Sequence, residues 1–109
     1  MAWLVRGDRV LASLEIPDDR RGRAKGLVGR ESYEGAMLLE RCRSVHTFGM
    51  RFALDVAFVD AENVVIDTAC IVPRRVSLPR MRSRQVVEAR AGSFERWDLA
   101  VGDEIEIRK

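Results

Sequence analysis

The stretch Phe52-Ala-Leu-Asp-Val-Ala-Phe-Val59 constrains the architecture of this chain more than any other segment. Asp55 is its one charged residue, and aromatic and β-branched side chains recur along it. That composition favours a β-strand. Asp60-Ala-Glu-Asn63 reads as a four-residue turn, and Val64 to Val72 returns, so the segment predicts a β-hairpin. Alternation places Leu54, Val56 and Phe58 on one face, and Asp55, Ala57 and Val59 on the other. If the second face is also buried, the Asp55 carboxylate needs a partner to offset a penalty on the order of several kcal/mol. Candidate partners are Arg51, His46, Thr47 and nearby backbone amides. Asp55 is then either an acid that pins a loop or a site acid with a perturbed pKa.

The flanking sequence adds short strands. Leu4-Val5 opens one that turns at Gly7-Asp8, and Val10 to Ile16 alternates with Val10, Ala12, Leu14 and Ile16 on one face. Pro17-Asp18-Asp19 reads as a helix start with a carboxylate to cap the first amides. Ala24, Leu27 and Val28 continue at helical spacing to a stop at Gly29. Gly22 and Gly26 each weaken that helix by about 1 kcal/mol. Gly35 to Leu39 reads as a buried strand, and Pro73 to Arg84 as a loop broken by Pro73 and Pro79. Val86 to Ala91 is a strand ended by Gly92. Ser93 is placed to cap a turn carrying Phe94 and Trp97, and Glu104 to Ile107 is the last strand. Seven or more strands with one or two short helices predict a mainly β, barrel- or jelly-roll-like single domain over residues 1–109.

With 109 residues, 47% of them hydrophobic, the chain can bury one core. No apolar run approaches the roughly 18–20 residues of a membrane span. The opening Met1 to Arg6 is too short and too soon charged for a signal peptide. The two cysteines, Cys42 and Cys70, read as free thiols in a reducing compartment. The expectation is a soluble cytoplasmic monomer.

Residues that carry chemistry concentrate in Cys42-Arg-Ser-Val-His46-Thr47-Phe48-Gly49-Met50. His46 is the one histidine, the usual source of a side chain titrating near neutrality. Cys42, His46 and Met50 are a soft-ligand set at four-residue intervals, but one histidine rules out blue-copper and Cys2His2 zinc sites. No metal or other cofactor is expected, and Met50 reads as core. Glu88, between Val87 and Ala89, raises the same question as Asp55. The candidate pocket is therefore His46, Thr47, Met50, Asp55 and Glu88. Arg74, Arg75, Arg80, Arg82 and Arg84 form a stretch without an acid, a candidate basic patch on a chain with 19 basic and 17 acidic residues. No aromatic residue lies within it to stack bases, which argues against nucleic acid. No nucleotide-binding, zinc-protease or nucleophile-elbow motif is present.

The run from His46 to Asp60 resembles the central signature of the prokaryotic Domain of Unknown Function 192 family. Gly26-Leu-Val-Gly-Arg30, Gly35-Ala-Met-Leu38, Val86-Val-Glu-Ala-Arg-Ala-Gly92 and Gly102-Asp103 resemble further family segments in the same order. The resemblance spans residues 5 to 107 and implies a compact β-rich, barrel- or jelly-roll-like fold. Many members carry Phe-Trp-Met-Lys-Asn-Thr in the central signature, whereas here Gly49 precedes Met50. Any role of that Trp or Asn therefore does not transfer, and the family brings no established activity. The leading expectation is a small non-catalytic binding or accessory domain for an unknown small molecule or protein. One alternative is a hydrolase-like enzyme using His46 with Asp55 or Glu88 as acid and base. Another is an interaction protein using the Arg74–Arg84 loop.

Overall fold

In the computed structural model, which describes residues 1–109, the strands are β1 (Ala2–Arg6), β2 (Arg9–Glu15), β3 (Ala36–Glu40), β4 (Leu54–Val59), β5 (Val65–Ile71), β6 (Gln85–Arg90) and β7 (Glu106–Arg108). Two helices of under two turns, α1 (Arg20–Lys25) and α2 (Ser93–Trp97), complete the secondary structure. The strands form one sheet in the order β5-β4-β6-β3-β2-β1-β7. All pairings are antiparallel except β2 with β3, which α1 connects. The mainly β reading with two short helices therefore describes the molecule.

The sheet is not closed into a barrel. It curls until Val64 meets Glu104 in an isolated bridge, and the Val65 and Ile105 amides donate to Asp103 and Asn63 carbonyls at 2.8 Å each. β7, however, pairs only with β1. The gap is bridged at one point, so the ladder never becomes continuous.

All six residues of β4 are buried, and their alternation divides the core in two. Ala57 and Val59 join Leu38, Val87, Ala89, Phe94, Trp97 and Leu99 in one cluster. Leu54, Val56 and Phe58 join Met37, Leu39, Val86, Leu27, Val45 and Met50 in the other. The central strands thus bury both faces.

Several local features depart from the periodicity. A bulge in the β1–β2 ladder sets Leu4 opposite Ala12 and Val5 opposite Val10, leaving Leu11 as the extra residue. An extra residue reverses the inward face, so Leu11 is buried and Val10 is 52% exposed. The first helix is shorter than its apolar spacing implies. Asp19 Oδ1 accepts from the Gly22 amide at 2.6 Å, as the capping argument requires, but the helix stops at Lys25. Gly26 follows at φ 52° and ψ −126°, and Leu27 packs into the core from beyond the helix. Gly26 and Gly29 are therefore loop positions rather than helical ones. The cap of α2 also differs: Gly92 is its N-cap, and the Ser93 hydroxyl accepts from Arg96 instead.

Candidate functional site

Glu88 is the chemically exceptional residue. It lies on β6 opposite Met37 and Val56, so its side chain enters the second apolar cluster. It is 3% exposed, and its Oε1 has no hydrogen-bond partner. Burial pushes its pKa from 4.5 up to about 7, and the Leu27 backbone amide opposes that rise. The residue that titrates near neutrality by virtue of its environment is thus Glu88.

Glu88 lines a cavity of about 480 Å³ between the α1–Val28 segment and the loop from Cys42 to Met50. Gly26 shapes it. A Cβ on Gly26 would lie 2.9 Å from Glu88 Oε1, so only glycine lets the backbone pack this closely on that oxygen. Gly49 fastens the opposite wall, with φ 81° and its carbonyl accepting from the Gly29 amide at 3.2 Å. Arg20, Arg23, Lys25 and Arg41 also line the cavity, against Glu40 and Glu88 as its acids. The result is a buried carboxyl within a basic, open-mouthed pocket.

Of the five predicted pocket residues, His46, Met50 and Glu88 line this cavity. His46 is exposed and stacks on Phe48 with ring centroids 6.0 Å apart, while Met50 is 7% exposed and belongs to the apolar cluster. Thr47 borders the loop but is spent on structure. Its hydroxyl donates to the Val72 carbonyl at 2.7 Å and accepts from the Arg75 amide at 2.9 Å. Asp55 lies on the opposite face of the sheet, where its Oδ2 accepts from the Gly92 and Phe94 amides at 2.9 and 3.0 Å. Its partners are thus backbone amides rather than Arg51, His46 or Thr47, and it supplies the side-chain cap that α2 lacks. Glu88 and Asp55 cannot act on one bound molecule.

Both cysteines are free thiols. Cys42 lines the cavity, and burial raises its pKa. No three His, Cys, Asp or Glu side chains are grouped to hold a metal ion. In the basic stretch, Arg80 Nε donates to Asp67 Oδ2 at 2.8 Å and the guanidinium sits 4.5 Å over the Phe58 ring, so Arg80 is committed internally. Arg74, Arg75, Arg82 and Arg84 are exposed. Sequence reasoning missed Gly26, Arg20, Arg23, Lys25 and Arg41 as cavity residues. Gly26 carried a signal, a glycine where a helix was expected to continue; the cations carried none.

The model of the DUF192 family, described as "Uncharacterized ACR", matches residues 3–107. The chain belongs to this family. A UPF0127 protein of Pyrococcus abyssi is 32% identical over 63 residues, which are 58% of this chain and 54% of that relative. A second, from Pyrococcus furiosus, is 35% identical over the same shares. The chain thus spans about half the length of the curated relatives it matches. A crystal structure of a protein of unknown function from Novosphingobium aromaticivorans superposes with a TM-score of 0.80 at 24% identity, covering 96% of this chain and 82% of that one. A candidate transcription regulator from Sinorhizobium meliloti 1021 superposes at 0.75 and 21% identity, covering 96% and 90%. These likenesses show that the DUF192 chain shares its fold with both. No helix is long and apolar enough to cross a membrane.

Proposed function

We propose that this DUF192 chain is a cytoplasmic, monomeric binding domain without catalysis of its own, and that it holds a small molecule in the cavity over Glu88. One observation carries the reading: a nearly fully buried carboxyl on the cavity wall has an oxygen with no partner, packed against a glycine. A buried polar group left unsatisfied costs about 1–3 kcal/mol. A bound molecule that donates a hydrogen bond to Glu88 would remove that cost. The volume of about 480 Å³ suits a metabolite-sized ligand.

Thermal unfolding of the wild type and of Glu88→Leu against a set of small metabolites tests this. A ligand well above its Kd raises the wild-type Tm by mass action, and the Glu88→Leu protein should lose that rise. Equal rises in both proteins would overturn the assignment.

A second reading keeps His46 and Glu88 as an acid–base pair, because they line the same cavity and Glu88 titrates near pH 7. It predicts that His46→Ala removes a turnover at unchanged stability. The basic-loop reading has less support, since Arg80 is bonded to Asp67.

A further inference from the structure

Arg41 follows β3 directly and lines two cavities. One is the Glu88 cavity. The other, of about 460 Å³, is lined by Arg41, Arg43, Ser83 and Arg84 alone. Ser83 brings no free donor to it, because its hydroxyl donates to the Cys42 and Gln85 carbonyls at 2.9 and 3.2 Å. The lining of the second cleft therefore holds three arginines and no acid.

Charge across the two cavities is one-sided. Arg20, Arg23, Lys25, Arg41, Arg43 and Arg84 line them, against Glu40 and Glu88. None of the six cations is in an ion pair; the four ion pairs of the molecule use Arg6, Arg30, Arg80 and Arg108. Guanidinium groups match the oxygens of phosphate in a bidentate fork, which suits Arg better than Lys to that anion. A cluster this basic is complemented by a ligand with more than one negative charge. At the far end, Glu88 calls for a donor.

We infer that the two cavities are one site joined at Arg41, and that it takes a small phosphate monoester. The phosphate lies among Arg41, Arg43 and Arg84, and an amino or hydroxyl group reaches Glu88. This rests on the ligand-binding reading of the Glu88 cavity and adds the chemical class of the ligand. A small molecule fits better than a nucleic-acid backbone, because no aromatic side chain lines the arginine cleft and the Glu88 end is buried.

Titrations followed by backbone amide resonances test it, with O-phosphoethanolamine, inorganic phosphate, ethanolamine and a single-stranded oligonucleotide as probes at constant ionic strength. O-Phosphoethanolamine should bind at least roughly tenfold more tightly than phosphate or ethanolamine. Arg41→Ala and Arg84→Ala should each weaken it by about tenfold, and Glu88→Gln should erase its advantage over phosphate. Ethanolamine binding that depends on Glu88 but not on the arginines would leave the cavity reading standing and overturn the phosphate assignment. Equal binding of phosphate and O-phosphoethanolamine, unmoved by Glu88→Gln, would overturn both. Tighter binding of the oligonucleotide through the same arginines would replace the small ligand with nucleic acid. No binding of O-phosphoethanolamine at millimolar concentration would also sink the phosphate site.

Discussion

At the scale of single residues, Glu88 sets the pH response. Its pKa is raised by burial from 4.5 to about 7, so the folded protein holds this proton more tightly than the unfolded chain. The contribution to stability is therefore greatest below the unfolded value of 4.5, falls as pH rises, and levels off above about 7. The loss amounts to about 3 kcal/mol. Glu88→Gln should abolish it, measured as the difference between wild-type and variant urea unfolding free energies at about pH 5 and pH 8. Subtraction removes the opposite, exposed contribution of Glu15, whose pKa its bond to Arg30 lowers. A wild type whose stability does not fall relative to the variant over that range would contradict the buried-acid description. Gly26→Ala meets two obstacles, a φ of 52° and a contact of 2.9 Å with Glu88 Oε1. It should cost more than about 1 kcal/mol and occlude the cavity, so that stability and ligand binding fall together.

At the scale of elements, Asp55 ties β4 to α2. Two amides at the start of α2 end on one carboxylate from a strand remote in sequence. Asp55→Ala leaves both without that acceptor and should destabilise the fold by about 2 kcal/mol in chemical denaturation. Because Asp55 and the cavity lie on opposite faces of the sheet, ligand affinity should be unchanged. A loss of binding by a variant that remains folded would show that the two faces communicate. The strands were legible in the sequence where alternation was long and uninterrupted, as in β4. Alternation fails where one extra residue intervenes, as at Leu11, because a bulge depends on the partner strand. The apolar spacing runs on past the first helix because Leu27 is buried by the loop after Gly26, not by a helical face.

At the scale of the whole molecule, local stability should be graded from the sheet centre outward. β4 is buried throughout, and β3 and β6 are buried over most of their length. α1 buries no residue, and β7 is a three-residue edge strand. Hydrogen exchange should therefore require near-global unfolding in β3, β4 and β6, and only local opening in α1 and β7. A ligand in the cavity should slow exchange in α1, whose Arg20 and Arg23 line it, and leave β7 unchanged. Protection that rises equally in both would indicate general stabilisation rather than occupancy of this cavity.

The sequence by itself determined the hairpin of β4 and β5, the parity of β4, the β-rich class and the choice of Asp55 and Glu88 as the acids that need explaining. Each follows from local composition and a side-chain period of two. It did not determine whether those acids meet. That depends on how β4 lies against β6, where Asp55 stands opposite Ala89 and Glu88 stands opposite Val56. Paired residues share a face, and a step of one residue changes it. The register therefore sends Asp55 to cap α2 and Glu88 to the cavity, and only tertiary pairing could decide that.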